Sequence, residues 1–301
     1  MIDGLSFQGQ YTLATQLCSD ANADNLTMLK TLIRQGQRRL EAVLGCYFTQ
    51  ETRTFATVAS TQPYKLPENF KKLIEIYVTS GSVQYQGELI QDDDLWRQIN
   101  CNTTTSYSNF LQLCFIRRST IELYPIPSSA LTATIIYDAF TKPLSHDDYT
   151  TGTITTLTNG AMAVTASGST FTSAMAGRYF KIDDDGQWYK IASYGTATTL
   201  TLDSAYQGVS IATGTSAYTI GEFPITPPET HELPVYYAVW KWALFRKDIT
   251  LAREFERMWK EGINDAERNW ANRSYSSIVR SHPHLVRRGL VNPNEYPLNM
   301  S

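Results

Sequence analysis

The longest helical pattern of the sequence runs over residues 227–270, and it constrains the fold more than any other feature. Prolines and glutamates stand in its first turns, where the unpaired amides of a helix N-terminus favour carboxylates. In the first half, large apolar side chains occupy nearly every face, and such a helix must be covered on several sides. After Asp248 the apolar residues narrow to one stripe, namely Leu251, Phe255, Trp259, Ile263 and Trp270. We therefore expect the core of the main domain here, built on one long helix or on two helices that separate near Asp248.

Composition and charge narrow the class of protein. With 301 residues, 42% hydrophobic and 18% charged, the chain is an ordinary globular one with room for two domains. The formal net charge of -3 disfavours a protein that coats nucleic acid, which needs positive charge to displace counterions. No apolar run is long enough to span a membrane, and the N-terminus lacks the pattern of a signal peptide. The cysteines show no paired spacing, which predicts reduced thiols in a cytosolic compartment: Cys18, Cys46, Cys101 and Cys114.

The first half of the chain combines one helix with a run of strands. An apolar stripe over residues 26–44 predicts an amphipathic helix that ends at Gly45. We expect this stripe to pack against the stripe of residues 251–259. From Glu51 onward the apolar period changes to two, which predicts strands at residues 53–58, 73–79, 83–90, 111–117, 120–124 and 131–140.

A change of composition marks a separate module. Residues 150–220 are rich in Thr, Ser, Gly and Ala, and pairs such as Asn159-Gly160 and Asp185-Gly186 are typical of tight hairpin turns. These features predict a small all-β module, barrel or sandwich-like. It lies between a strand and the main helix of one domain, so its two ends should leave that domain side by side.

These observations predict an α+β fold. We expect a helical bundle built on one N-terminal and one or two long C-terminal helices, with a β portion and the inserted all-β domain. The predicted domains are a core of residues 1–149 and 221–271 that combines helices with a β portion, an inserted all-β module of residues 150–220, and an extended basic tail of residues 272–301.

The acidic runs and the histidines have structural explanations. Asp183, Asp184 and Asp185 precede a glycine, and a solvated hairpin turn explains them better than a weak ion site, because the spacing of a calcium loop is missing. The aspartates at 92–94 suit a helix N-terminus. We expect capping roles for His146 and His231, which stand beside acids.

No motif of catalysis or cofactor binding occurs. The chain has no His-Glu-x-x-His, no phosphate-binding glycine loop and no nucleophile elbow. His282 and His284 lack a third metal ligand at a suitable spacing, which favours a contact role for them. The sequence therefore predicts a protein that is not an enzyme. It also predicts that the chain has no catalytic residues, no metal-binding residues and no cofactor.

The C-terminal tail is the predicted partner-binding element. Residues 272–301 contain four arginines against one acid, and prolines that oppose a continued helix. Aromatic and arginine anchors are typical of protein interfaces. The predicted partner-binding residues are Arg273, Tyr275, Ile278, Arg280, His282, Leu285, Arg287, Arg288 and Tyr296. A flexible terminus without a role, or DNA contact through the arginines, remain alternatives.

Several segments together resemble one protein family. They are residues 13–18 (LATQLC), the helix at 25–44, residues 64–78 (YKLPENFKKLIEIYV), 121–127 (IELYPIP), 135–137 (IIY) and the helix start at 227–233 (PPETHEL). In this combination the chain resembles the head-to-tail adaptor proteins of tailed bacteriophages, which sit beneath the portal ring. Residues 164–180 and 188–191 also resemble a β module of phage structural proteins.

The resemblance implies a structural virion protein at the head–tail junction, made in the host cytoplasm. Such adaptors form a ring, usually twelve-fold, that joins the portal to tail or nozzle proteins. Packaged DNA passes through the channel without sequence-specific binding, and no membrane is involved. The resemblance also implies that the tail reaches the portal or a neighbouring subunit. Many family members lack an insertion like residues 150–220.

Two other functions stay open at this point. A virion enzyme or glycan-binding protein would use the aromatic-rich β module, because aromatic side chains stack on sugars. A cytosolic regulatory or DNA-binding protein would rest on the basic tail alone.

Overall fold

The fold combines helices and several sheets, so the predicted α+β class is confirmed. The computed structural model describes residues 4–19, 22–44, 46–101, 107–108, 110–212 and 216–270. Contacts divide the chain into two compact units: unit 1 comprises Met1–Leu44 and Pro143–Ser301, and unit 2 comprises Gly45–Lys142. Sheets form a larger part of the molecule than a helical bundle with a β portion would have. The division into core, insertion and tail stays a prediction.

The elements follow in chain order. The helices are α1 (Phe7–Cys18), α2 (Ala23–Leu44), α3 (Cys46–Thr49), α4 (Asp93–Cys101), α5 (Leu233–Arg246) and α6 (Ile249–Trp270). The strands of unit 2 are β1 (Gln50–Ala56), β2 (Pro63–Lys65), β3 (Phe70–Ser80), β4 (Val83–Gln86), β5 (Glu88–Ile90), β6 (Tyr107–Ser108), β7 (Leu113–Arg117), β8 (Thr120–Tyr124), β9 (Ile126–Pro127) and β10 (Thr132–Ala139). The strands of unit 1 are β11 (Thr153–Thr156), β12 (Ala163–Ser167), β13 (Tyr179–Ile182), β14 (Trp188–Thr196), β15 (Thr199–Leu202) and β16 (Tyr218–Gly221).

The main helical pattern is divided into two helices, as the sequence near Asp248 indicates. Lys247 ends α5 in the left-handed region, with φ 62°. The Asp248 side chain then accepts a hydrogen bond from the Leu251 amide at 3.1 Å and caps the start of α6. The chain therefore turns between the two helices instead of continuing as one.

Helix α5 is the centre of the helical part of unit 1. It packs against α1, α2 and α6, whereas α2 and α6 contact each other much less. The expected packing of the α2 stripe with the α6 stripe is therefore found only in part: Leu29 and Ile33 share one buried core with Phe255, but both helices pack mainly against α5. Gly36 allows the close approach of α2, since a Cβ there would be 3.0 Å from the Pro234 Cα. The shared core contains Phe7, Leu29, Ile33, Val235, Val239, Trp242, Ala252 and Phe255.

The β strands of unit 1 form one small closed barrel. Their order is β11-β12-β15-β14-β13-β16. Isolated bridges join Ile154 to Ser216 and Leu157 to Ile211, which connects the first strand to the segment before the last one. The predicted turns at residues 159–160 and 185–186 separate β11 from β12 and β13 from β14. The all-β character expected for this stretch is thus present, in the barrel form.

The strands of unit 2 form two four-stranded sheets and a short parallel pair, and the unit also contains α3 and α4. The sheet orders are β1-β10-β3-β4 and β2-β8-β7-β5, and β6 pairs with β9. Buried residues of both four-stranded sheets belong to one core cluster, including Ile76 and Ile135 from one and Ile121 and Leu123 from the other.

The prediction of one continuous strand over residues 83–90 is wrong. It divides at Gly87 into β4 and β5, which belong to different sheets. A Cβ on Gly87 would be 2.5 Å from Leu111 Cδ2, so a larger residue would require Leu111 to move where the chain passes from one sheet to the other.

Candidate functional site

A polar junction surrounds the N-terminus of α1. The Ser6 hydroxyl oxygen caps the helix by accepting from the Gly9 amide at 3.1 Å, and the hydroxyl donates to Asp148 at 2.9 Å. The Phe7 amide donates to the Glu222 carbonyl at 2.7 Å. Because Asp148 precedes the barrel and Glu222 follows it, both connections to the barrel meet at the start of α1.

The junction also buries charge. Arg178 of the barrel is almost completely buried, and burial lowers the pKa of its guanidinium. Burial raises the pKa of Asp148. Neither Asp148 Oδ1 nor Arg178 Nε has a hydrogen-bond partner among the described residues. The arrangement holds the connections in place, and it brings Nδ1 of His146 to 3.5 Å from the Glu222 carboxylate.

The two described histidines are structural. His231 is buried, its Nε2 is 2.9 Å from the Thr226 carbonyl oxygen, and burial lowers its pKa. Gln10 of α1 donates to the His231 carbonyl at 2.8 Å. At His146 the capping group is Glu222, whose carboxylate accepts from the amides of Ser145 and His146 at 2.7 and 2.8 Å.

The acidic runs occupy a turn and a helix start, as predicted. Asp92 caps α4 by accepting from the Asp94 amide at 2.9 Å. Asp183 lies in the β13–β14 turn and accepts from Thr219 at 2.9 Å. Within the described residues no group of three or more His, Cys, Asp or Glu side chains could hold a metal ion.

A groove opens on the barrel beside this turn. It is a cavity of about 440 Å³, and its lining includes Asp184, Asp185 and Val209. Its apolar lining comes from Ile182, Tyr206 and Ile211. Val209 is 86% exposed, which is unusual for a large aliphatic side chain. The groove therefore presents carboxylates and apolar surface together.

A second exposed apolar surface lies at the turn between α5 and α6. Leu244, Phe245 and Ile249 are 43%, 68% and 50% exposed. Arg246 and Lys247 flank them and are also exposed. Clustered large apolar residues on a surface mark an interaction site. The sequence did not indicate this site, because a helix that is apolar on nearly every face does not reveal which residues remain uncovered.

The aromatic residues of the barrel mostly fill its core. Five aromatic side chains of the barrel are almost completely buried, namely Phe171, Phe180, Tyr189, Tyr206 and Tyr218. Trp188 packs on Phe223, with ring centroids 4.7 Å apart. Among the described residues of the barrel, only Tyr194 is an exposed aromatic. The barrel therefore offers no row of aromatic faces for stacking on sugars.

The predicted partner-binding residues lie outside the described residues, which end at Trp270. They are Arg273, Tyr275, Ile278, Arg280, His282, Leu285, Arg287, Arg288 and Tyr296. Their role stays a prediction. In the part of the chain that is described, no helix has the length and hydrophobicity to cross a membrane.

Comparison with protein-family models relates part of the chain to a described family. Residues 11–159 match the family model described as SU10 adaptor protein. The match covers the last two thirds of α1, then α2, all of unit 2 and the first barrel strand, β11. No curated protein matches the chain. The match suggests a phage adaptor-type protein with a structural role in the virion, which is consistent with a protein that is not an enzyme.

Proposed function

We propose that this protein is a head-to-tail adaptor of a tailed bacteriophage, forming a ring that joins the portal to the tail and continues the DNA channel. The observation that carries the proposal is the match of residues 11–159 to the SU10 adaptor family. In this proposal α1, α2, α5 and α6 form the adaptor bundle. Twelve copies would make the ring, and DNA would pass through it without sequence-specific contacts.

Exposed surfaces of the molecule suit repeated contacts between subunits. The α5–α6 turn presents three large apolar side chains, and the open sheet edges of unit 2 offer unpaired backbone groups. A ring needs two different surfaces on each subunit that bind one another. We assign subunit contacts to these surfaces, and portal or neighbour contacts to residues 272–301.

The alternative of a glycan-binding protein or virion enzyme has no support from the barrel. Among its described residues, every aromatic side chain other than Tyr194 is buried or partly buried. We therefore keep the adaptor as the single proposed function.

The test is assembly with the portal. The purified chain, alone and mixed with the portal of its phage, is measured by mass photometry and negative-stain electron microscopy. We expect rings of uniform copy number stacked coaxially on the portal. A chain that stays monomeric and never binds the portal or a tail protein would contradict the proposal. Phe245→Ser should reduce ring formation, with Met162→Ser, an exposed residue of the barrel, as the matched control.

A further inference from the structure

The barrel groove combines features that select a basic and apolar peptide. Asp184 is exposed at the rim, and Tyr189 donates to Asp185 at 3.4 Å, which helps to hold that carboxylate in position. The lining below is apolar, from Ile182 and Ile211. The volume of about 440 Å³ falls within the range of about 300–1,000 Å³ that is typical of ligand-binding clefts.

The chain itself carries a segment with the complementary chemistry. Residues 272–301 are net positive, whereas the rest of the chain is net negative. Between Pro283 and Pro293 the sequence reads HLVRRGLVN. In an extended chain, alternate residues share one face, so Val286, Arg288 and Leu290 would form an apolar–cationic–apolar row. This row matches a groove with carboxylates beside apolar surface.

We propose that residues 285–291 of one copy bind in the barrel groove of a neighbouring copy, with Arg288 paired to Asp184 and Asp185. Val286 and Leu290 contact Val209 and Ile211 on either side of the ion pair. Arginine suits the site because its planar guanidinium pairs with carboxylates through two hydrogen bonds. The inference rests on the proposed assembly role of the tail, and it assigns a function to the barrel.

Reach does not limit this contact. The tail begins after Trp270, and residues 271–285 can span roughly 50 Å when extended, at about 3.3 Å per residue. The N-terminal end of the docking row therefore need not lie near its own helix α6. The prolines at both ends of the segment disfavour a helix and leave an extended conformation available.

The first test is hydrogen exchange on the full-length chain at high concentration. The amides of residues 207–212 should exchange slowly. The double variant Arg287→Ala and Arg288→Ala should lower their protection factors at least about tenfold. The double variant Arg253→Ala and Arg257→Ala, which removes two exposed arginines of α6 outside the tail, is the matched control and should keep the protection. Dilution should remove the protection as copies separate. Protection that is the same at all concentrations would contradict docking between copies, and equal exchange in all variants would contradict the site.

The second test exchanges the charges. Asp184→Arg alone and Arg288→Asp alone should each remove the protection of residues 207–212, and the two together should restore it to within about threefold. Asp203→Arg, an exposed acid of the barrel outside the groove, should have no effect. A double variant no better than the single ones would overturn the pairing. If Asp184→Arg still forms rings on the portal whereas Arg288→Asp does not, the tail binds the portal, so the inference fails while the adaptor function stands.

Discussion

The barrel of unit 1 and the sheets of unit 2 differ in whether their outermost strands are paired. In the barrel, bridges at Ile154 and Leu157 join the first strand to the segment that leads into the last. In unit 2, β1 and β4 are the outer strands of one sheet, and no strand of the described part of the chain pairs with the outer edge of β1. A closed barrel has no free edge, whereas an open sheet leaves backbone donors and acceptors available to a partner.

The exposed side chains follow the same division. Large exposed apolar residues of the barrel are Met162, Tyr194 and Val209, whereas unit 2 has Val58, Ile74, Val83, Leu95, Phe110 and Phe140. Edge strand β1 nevertheless places Glu51 and Arg53 opposite Tyr137 and Ile135 of β10, on the core-facing side. Charges at such positions hinder indiscriminate edge pairing. In the described part of the chain, the end strands of the barrel are thus bridged to each other, whereas unit 2 combines an open sheet edge with more large exposed apolar side chains.

Removing the barrel is the strongest test of its independence. Replacing residues 150–220 by a short Gly/Ser linker should leave the remaining chain folded, because Tyr149 pairs with Ile220 and thus brings the two ends together. We expect one cooperative thermal transition at a lower temperature, since Phe223 loses its contact with Trp188. Circular dichroism and calorimetry would measure this. Loss of cooperative unfolding would mean that the barrel is integral to unit 1.

Truncating a core residue of the barrel should destabilise it much more than truncating an exposed one. Phe180 is completely buried, and Phe180→Ala should lower the free energy of unfolding by about 3–5 kcal/mol. Tyr194→Ala, at an exposed position of the same barrel, should change it by less than about 0.5 kcal/mol. Chemical denaturation of both variants measures the difference. Equal effects would show that the barrel core is not packed as described.

Removing the cation beside a buried carboxylate of unit 2 should lower the free energy of unfolding by a smaller amount. Asp138 accepts a hydrogen bond from Thr49, and Lys71 Nζ lies 2.8 Å from its other oxygen. Lys71→Met leaves this carboxylate without its cation and should cost about 1–2 kcal/mol, because Lys71 is partly solvated. Lys72→Met, at the exposed next position, serves as the control and should be nearly neutral in the same denaturation experiment.

The smallest expected effect is a pH dependence confined to unit 1. Burial lowers the pKa of His231, so below about pH 6.5 the unfolded chain binds a proton that the folded chain does not. The stability of unit 1 should therefore fall as the pH drops from about 6.5. The raised pKa of Asp148 acts in the opposite direction, since its contribution is lost as the pH rises through the folded pKa.

Unit 2 provides the control for this effect because it contains no histidine. Hydrogen exchange at about pH 7.5 and 5.5, corrected for intrinsic rates, should show lower protection only in unit 1. An equal loss in both units would mean that another group titrates.

Some features could be predicted because short-range rules govern them. Asp248 caps a helix through its own side chain, so the break between α5 and α6 needs no distant contact. Asp92 acts in the same way at α4. The Asn159-Gly160 and Asp185-Gly186 turns follow from local backbone preferences.

Other features escaped prediction because they depend on neighbours distant in sequence. The pattern of β4 and β5 reads as one strand, and only the approach of Leu111 to Gly87 shows why the chain passes between sheets there. A glutamate on an amphipathic helix is typically solvated, yet Glu41 of α2 is buried and accepts from Gln37 at 2.8 Å. A polar side chain that finds a partner within the structure looks the same in sequence as one that is solvated.

The sequence alone determines where helices and turns begin and end. Its composition also identifies residues 150–220 as a β module and residues 272–301 as a basic tail. Only the tertiary structure decides which face of α5 stays uncovered at Phe245, and that the module closes into a barrel with its aromatics inside. Only the folded chain brings Asp184 and Val209 to one groove, from two loops about 25 residues apart. The physical reason is that burial is a property of the whole packed arrangement, whereas propensity and capping belong to a few adjacent residues.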